Sequence, residues 1–543
     1  MIGRRLITLL PACLLWGAAC LAHEHTLTVA QTNLAQIQRT DAVAKDRSCS
    51  LTLHLRDAVT GESLPGLVRV SPQAREAPPL ALEGLFERPA GWFSMPAGAT
   101  IPLPPGRWRV EAVHGTETEV AVREIELAQG GGPSLDLPLK RFFDPRAAGL
   151  RSGNTHLHLI VDAHRKMGVL LRARQEADDY LQTVGHSDGL DLVYVSYLTR
   201  PGEPYISNEY TDTDLVRFSS SGRTLFGNGI EHRHGGALKP GQGPSTPGSS
   251  VVMSYGHVML LDLDKRSVQA SIGPGLSENP RDTDGTPLRH GIIQARNQGA
   301  GIIWCHGTQG LEDIPNWVAG LIHAQNIYDG GNEGDFDAVF YPYLNSGFKV
   351  PFSTGTDWGV TDFSRVYVTA PEGLSSRIFR RELEKGRTFI TNEPFLAFRA
   401  GSAVPGDTVT LPRAGDLRIR GRAIGRSDFV RLQVVYNGAV VHETPSRPVA
   451  GHHEATIDFT LSANKSGWLA LRIPTVKAYE YRSNYSGPGT NILGKAIFAH
   501  TSPVYLSVAG QPTFDAGAVE HLLRQVRLAR QTVDKVGVFA GDA

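Results

Sequence analysis

Net charge and cysteine are scarce in this sequence. Lys and Arg number 54, and Asp and Glu also number 54, so the formal net charge is zero. No basic stripe with interleaved aromatic residues is present, which argues against a nucleic acid partner. Two of the four cysteines lie in the first 22 residues, and the others, Cys49 and Cys305, are far apart. We therefore expect no disulfide framework and a fold that depends on hydrophobic cores and a metal.

Long apolar runs are absent too, except near the N-terminus. Two arginines precede an apolar run over 6–15, and small residues follow it up to Ala22. This pattern predicts an export signal at 1–22, cleaved after Ala22, because the run is too short to span a membrane. Cys20 follows Gly-Ala-Ala and offers a lipid anchor as an alternative. We expect a periplasmic or secreted bacterial protein without a membrane span.

The pattern of apolar and polar residues changes along the remaining sequence, which predicts several domains. A polar leader over 23–46 precedes short alternating strands over 47–140, which predict a β-sandwich and resemble carboxypeptidase-regulatory-like domains. Apolar strand-like runs alternate with helical segments over 141–402 and predict a distorted α/β barrel. Alternating strands return over 403–510 as a second sandwich, and 511–543 holds an amphipathic helix. The predicted class is multidomain α/β plus β, with sandwiches on both sides of the barrel.

Three local predictions concern the barrel region. Alternation of strands and helices predicts a parallel sheet. The apolar run over 338–340 is predicted as one of its strands. The stretch over 205–250 is rich in Gly, Ser, Pro, Thr and Asp, which predicts a long irregular loop that serves as a lid over a site.

Two histidines separated by one leucine stand at the centre of the chain. If 153–159 is a strand, His156 and His158 point to the same face. Two imidazoles on one face at a strand end suit a divalent transition metal such as zinc. The alternative is one surface histidine and one hydrogen-bonded core histidine.

Further candidate ligands follow this pair, most of them at the edge of a strand-like run. They are Glu231, His257, His306 and Asp357. Each has an ordinary alternative: an exposed charged loop for Glu231, surface positions for the histidines, and a turn for Asp357. Glu176 and Asp179 on the first helical segment are more typical of solvated charges.

Taken together, five motifs follow the order H-x-H, Glu, His, His, Asp. They are GNTHLHL at 153–159, GIEHRHG at 229–235, SYGHVMLLDL at 254–263, GIIWCHG at 301–307 and STGTDWG at 353–359. This order resembles the PHP (polymerase and histidinol phosphatase) superfamily, and most closely its CehA/McbA, carbaryl-hydrolase-like branch. The stretch over 385–394 resembles the end of the catalytic domain in that branch. The resemblance covers about 145–410.

The resemblance implies a fold and a set of ligands. The fold is a distorted PHP-like barrel, and the implied metal ligands are His156, His158, Glu231, His257, His306 and Asp357. The superfamily's Asp-His pair at the end of the second strand is missing from 193–198, and Gly359 stands where a further histidine often occurs. One or two divalent ions are therefore expected, zinc first, with manganese or iron as alternatives.

The implied chemistry is hydrolysis by a metal-activated water. Glu231 or Asp357 would take the water proton, and Arg233 would offset developing negative charge. We expect an exported metal-dependent hydrolase whose small-molecule substrate is an ester, carbamate or phosphoester. The alternative is a non-catalytic, ligand-binding protein of the cell envelope built on a degenerate barrel.

Overall fold

The protein is mostly β-sheet with fewer helices, in agreement with the predicted multidomain α/β plus β class. The computed structural model describes residues 47–73, 79–159, 174–198, 210–220, 223–235, 254–265, 267–274, 282–305, 310–329, 339–360, 362–474 and 487–540. The expected export signal, the leader and His306 lie outside these ranges.

The N-terminal region forms two sheets that share one core. Its strands are β1 Cys49–Asp57, β2 Gly66–Pro72, β3 Phe86–Arg88, β4 Trp92–Met95, β5 Gly98–Leu103, β6 Gly106–Val113, β7 Ala121–Leu127 and β8 Ser134–Leu139. The sheet orders are β5-β1-β8 and β3-β4-β2-β6-β7. Apolar residues alternate along these strands, so that Leu53 of β1 and Val110 of β6 meet in the same buried cluster.

The middle region forms a curled sheet. Its strands are β9 Leu150–His158, β10 Leu192–Tyr197, β11 Leu225–Gly235, β12 Ser254–Leu261, β13 Ser271–Ile272, β14 Gly301–Trp304, β15 Ala324–Asn326, β16 Phe352–Ser353, β17 Asp357–Trp358, β18 Arg365–Thr369 and β19 Thr388–Thr391. Strands β9, β10 and β11 are parallel neighbours, and β14, β15 and β16 form a second parallel set. Strand β12 lies antiparallel between the two sets.

The segment after β16 brings the far end of this sheet back to β9. The Thr356 amide donates to the His156 carbonyl, and β17 then pairs in parallel with β9. This approach is so close that a Cβ atom on Gly355 would lie 2.4 Å from the Cβ of His156. Glycine in the STGTDWG motif therefore lets β17 reach the carboxyl end of β9.

Helices cover the curled sheet and extend beyond it. They are α1 Arg174–Ser187, α2 Asp212–Ser220, α3 Leu288–Asn297, α4 Asp313–Val318, α5 Tyr341–Asn345, α6 Ser376–Glu384 and α7 Ala516–Val536. The last begins with Asp515, whose side chain accepts from the Ala518 amide as an N-cap. Among the described residues, no helix is both long and apolar enough to cross a membrane.

The C-terminal strands form a second pair of packed sheets. They are β20 Phe395–Ala400, β21 Thr408–Leu411, β22 Gly415–Gly425, β23 Arg431–Tyr436, β24 Ala439–Pro445, β25 Arg447–Val449, β26 His452–Ala463, β27 Gly467–Ile473, β28 Ala499–Thr501 and β29 Val504–Val508. One sheet has the order β20-β22-β26-β25. The other continues the curled sheet, because β28 pairs with both β19 and β27. Strand β20, placed by the sequence analysis within 141–402, pairs with β22.

Two of the three local predictions concern single segments, and both differ from the structure. Within the predicted irregular loop over 205–250, the described residues form α2 and the eleven-residue strand β11, while 205–209, 221–222 and 236–250 lie outside the described ranges. The glycines of β11 permit close packing, since a Cβ on Gly227 would lie 2.6 Å from the Tyr194 ring. The predicted strand over 338–340 is also wrong, because Val339 and Phe340 are helical and lead into α5. Short apolar runs do not distinguish buried strands from buried helical turns.

The predicted parallel sheet is a mixed sheet in the structure. Strand β12 pairs antiparallel with β11 on one side and with β14 on the other. In this antiparallel register, His257 of β12 lies opposite Arg233 of β11. Both residues therefore approach the end of the sheet where the predicted ligands lie.

Candidate metal centre

His156 and His158 lie at the carboxyl end of β9, and both side chains are fully buried. Leu157 between them packs in the apolar cluster that includes Tyr180 and Val193. The alternation of the strand therefore places both imidazoles on one face, as the H-x-H spacing predicts. Their Nε2 atoms lie 2.9 Å apart.

Hydrogen bonds on the far side of each ring fix the tautomers. The His158 Nδ1 atom donates to the carbonyl of Ser196, at 2.8 Å. The His156 Nδ1 atom lies 2.7 Å from Asp329 Oδ2, and a carboxylate accepts from it. When a ring is neutral, its lone pair is then on Nε2, and the two Nε2 atoms face one another across a site that a proton or a cation can occupy. A carboxylate or carbonyl behind a metal-ligating histidine is the usual way to orient it.

Two carboxylates complete the cluster. Glu231 Oε2 lies 3.0 Å from His158 Nε2, and Asp357 Oδ1 lies 3.4 Å from His156 Nε2 and 3.6 Å from His158 Nε2. One ligand atom from each of the four residues lies within 4.8 Å of all the others. Asp357 adopts a φ of 56°, a left-handed conformation that Asp tolerates better than most residues.

The charges of the cluster favour a cation at its centre. Burial disfavours charge on His156, but the carboxylates of Asp329 and Asp357 raise the pKa of His156 well above its usual value. The Nε2 lone pairs and carboxylate oxygens need either a shared proton or a positive ion between them. Two imidazoles with carboxylates form a donor set that suits zinc and, with more oxygen ligands, manganese or iron.

A chain of side chains holds Glu231 in place. Arg233 donates to His257 Nε2 at 2.9 Å, so the neutral ring carries its proton on Nδ1. That Nδ1 lies 2.9 Å from Glu231 Oε1. Burial opposes charge on Glu231, but the Arg233 guanidinium and His257 hold the pKa of Glu231 well below its usual value. The carboxylate is therefore ionised at neutral pH.

The structure brings together four of the six predicted ligands: His156, His158, Glu231 and Asp357. His257 contacts the other oxygen of Glu231 and accepts from Arg233, so it lies beside the cluster. His306 lies outside the described residues. The charges of Glu176 and Asp179 are on α1 and take no part in the four-residue cluster.

Sequence reasoning missed Asp329 and Cys305. Both lie with His156 in a second buried group whose ligand atoms are within 4.8 Å of one another. Burial raises the pKa of the Cys305 thiol to about 12, so the group is neutral at pH 7. Each follows a short strand, β15 or β14, at its carboxyl end. That position is the signal which could have drawn attention to them.

The open side of the cluster is formed by Asp357 and Trp358. The Asp357 side chain is 12% exposed, whereas both histidine side chains are 0% exposed. Trp358 is partly buried, and its ring centre lies 4.9 Å from that of His158. Of the four clustered residues, Asp357 is therefore the most accessible to solvent, and an aromatic ring lies beside the cluster.

Comparison with known proteins adds little to this geometry. No family model matches the chain, and no curated protein matches it. A solved structure described as "The Bacillus anthracis TIE protein" matches 22% of this chain and 19% of its own length. Its sequence identity is 16% and its TM-score is 0.13. So low a score carries no argument about fold or function.

Proposed function

We propose that this chain is an exported metal-dependent hydrolase of the CehA/McbA type within the PHP superfamily. One observation carries the proposal: the Nε2 atoms of His156 and His158 converge, fully buried, with the carboxylates of Glu231 and Asp357. The order of the five sequence motifs supports the same reading. The N-terminal export pattern supports a periplasmic or secreted location.

A divalent ion in this cluster would lower the pKa of a bound water from 15.7 to about 7 and polarise a carbonyl or phosphoryl oxygen. His156, His158, Glu231 and Asp357 are the residues that would hold it. One or two ions fit the donor set, and zinc suits the two imidazoles best.

Of the two candidate bases, Asp357 is the better placed. Both oxygens of Glu231 already face histidines, Oε2 toward His158 and Oε1 toward His257. Asp357 lies on the open side of the cluster and can accept a proton from a water that enters with substrate. Arg233 acts through His257, which it holds against Glu231. The substrate is a small ester, carbamate or phosphoester.

Turnover of simple chromogenic esters and phosphoesters tests the proposal. We expect metal-loaded protein to hydrolyse at least one class. Asp357→Asn, assayed with excess metal because it lacks one of the four ligands, should lower kcat about 100-fold or more. His54→Ala on β1 is the matched control, since this partly exposed histidine is far from the cluster in the fold. Equal turnover by chelated protein or by the Asp357 variant would contradict the proposal.

The runner-up function is a non-catalytic binding protein of the cell envelope. One observation favours it: at the end of β10, where the superfamily has an Asp-His pair, the chain offers the backbone carbonyl of Ser196 to His158. Metal binding without turnover of any carboxyl ester, carbamate or phosphoester would favour this function. Turnover of any of these substrates would exclude the non-catalytic function.

A further inference from the structure

A cavity of about 560 Å³ lies at the junction of the curled sheet and the C-terminal sheets. It follows β20, which is the edge strand of its sheet, and we call it the β20 groove. Its other wall comes from β18, β19 and the start of β9. Volumes of this size at junctions between structural units are typical of small-molecule sites.

The floor of the β20 groove is a continuous row of aromatic rings. The Phe143 ring centre lies 4.4 Å from that of Phe395, which lies 5.3 Å from Tyr367. Tyr367 in turn stacks on Phe389 at 4.9 Å. Leu150, which is partly buried, extends the apolar surface. The Tyr367, Phe395 and Phe389 rings are almost fully covered. A ligand here would therefore contact mainly Phe143, Leu150 and the ring edges, which favours an apolar body.

The rim of the groove carries an excess of positive charge. Four arginines line it, Arg387, Arg399, Arg420 and Arg422, against one carboxylate, Asp458. Glu454 pairs with Arg422 at 2.9 Å, and Glu382 and Asp407 each lie 3.7 Å from Arg387, so the unbalanced charge is concentrated at Arg399 and Arg420. Such a rim attracts anions and disfavours cations.

Two of these arginines face one another across the strands. Arg399 of β20 pairs directly with Arg420 of β22 in the register, an arrangement that is destabilising for like charges. Asp458 lies 3.7 Å from Arg420 but 2.5 Å from Arg418, so its charge is shared. Among the described residues, no carboxylate forms an ion pair with Arg399, which donates to the Ser402 carbonyl. An anionic group between the two guanidinium groups would relieve this repulsion.

We propose that the β20 groove binds a small amphipathic anion, an alkyl or aryl carboxylate, with its carboxylate between Arg399 and Arg420 and its apolar body on the aromatic row. The site is separate from the metal centre. Leu150 begins β9 and His158 ends it, and eight residue steps of a strand span about 26 Å. The proposal therefore does not depend on the proposed hydrolase activity.

Calorimetric titration of the mature protein with octanoate tests this site. We expect saturable one-site binding at low salt that weakens as salt rises, because the rim charges are exposed. Octanol and octylamine have the same apolar body without the negative charge. They should bind about tenfold more weakly or not at all. The His156→Ala/His158→Ala variant should bind octanoate as tightly as wild type.

The decisive variant is Arg399→Gln/Arg420→Gln, with Arg413→Gln as the matched control. Arg413 is an exposed arginine just before β22 that does not line the groove. We expect the double variant to bind octanoate at least about tenfold more weakly and the control to bind it unchanged. Equal binding by the double variant, or equal binding of octanol by wild type, would overturn the proposal. The comparison of octanoate with octanol needs no variant, so it decides the matter even if the double variant fails to fold.

Discussion

Two buried charged groups in this molecule differ in how their charges are satisfied. At the junction of the N-terminal sheets and the curled sheet, Arg88 meets Asp188 through two hydrogen bonds of 2.5 and 3.1 Å. Their side chains are 1% and 0% exposed. At the end of β9, His156 and His158 direct acceptor atoms toward each other and toward two carboxylates.

This difference in charge satisfaction separates a structural ion pair, Arg88–Asp188, from a candidate binding group at the end of β9. In the Arg88–Asp188 pair, donors face acceptors and the charges cancel, so nothing further is required. In the candidate metal centre, acceptors face acceptors, and either a shared proton or a bound cation must lie between them. Burial alone therefore does not distinguish the two groups, whereas the convergence of like polar atoms makes the second a candidate site for a cation.

The largest effect on stability is expected when the junction pair is broken. Arg88→Met leaves the Asp188 carboxylate buried without its partner. We expect the free energy of unfolding to fall by about 3–5 kcal/mol, measured by urea titration.

The double variant Arg88→Met/Asp188→Leu controls for this result. Removal of both charges should recover most of the lost stability, because no uncompensated charge remains. A double variant as unstable as Arg88→Met alone would show that packing, and not the buried charge, dominates at this junction.

At the candidate metal centre, substitution of Asp329, the hydrogen-bond partner of His156, gives the most specific test. Asp329→Asn removes the negative charge behind the ring while it keeps the size of the side chain. We expect the dissociation constant for zinc to rise about 10- to 100-fold, as measured with a chelating indicator. Asp313→Asn is the control, a buried acid on α4 that accepts from Tyr343 and is remote from the cluster. Unchanged zinc affinity in the Asp329 variant would contradict the assigned role.

A third buried group, His500, should make stability depend on pH. Burial lowers its pKa to about 3, while the unfolded value is about 6.5. The Nδ1 atom of its neutral ring donates to the Thr501 carbonyl, and its Nε2 atom accepts from the Tyr341 hydroxyl. Between pH 6.5 and 3 the unfolded chain binds the extra proton, so stability falls as pH falls. We expect a loss of about 2 kcal/mol at pH 5 relative to pH 7 from this residue.

His500→Gln isolates that contribution, because glutamine cannot bind the proton. Urea titrations at pH 7 and pH 5 should show a smaller loss for the variant than for wild type. An equal loss in both proteins would mean that His500 does not contribute to acid destabilisation.

The smallest effect is expected for an exposed ion pair. Arg107 and Glu126 are 3.3 Å apart across β6 and β7, and both side chains are about two-thirds exposed. Arg107→Gln should change the free energy of unfolding by less than about 0.5 kcal/mol. A loss as large as that of Arg88→Met would remove the contrast between buried and exposed pairs.

Much of the metal centre could be predicted from sequence because its residues occur in recognisable local patterns. The H-x-H spacing and the Gly-Thr-Asp motif place His156, His158 and Asp357 at strand ends. Asp329 could not be predicted in this way, because its contact with His156 joins residues 173 positions apart. The contact of His158 with the Ser196 carbonyl could not be predicted either, because every residue has a backbone carbonyl and the residue type gives no indication of it.

In the fold, too, features that depend on local sequence patterns were predictable and features that depend on distant contacts were not. The amphipathic C-terminal helix was predicted nearly to its ends, since Asp515 caps α7 and its apolar residues repeat at helical spacing. The antiparallel direction of β12 was not predicted, because strand direction depends on connections that lie between strands and not within them. Likewise, the glycines of β11 suggested a loop, although they allow close packing on Tyr194.

Metal content of the purified mature protein, measured by elemental mass spectrometry, tests the central claim most directly. We expect one or two equivalents of zinc, manganese or iron in the wild-type protein. We expect none in the His156→Ala/His158→Ala variant, whose folding is checked by circular dichroism. Absence of metal from the wild-type protein, even after incubation with added ions, would contradict the claim that the converging acceptors of this cluster hold a cation.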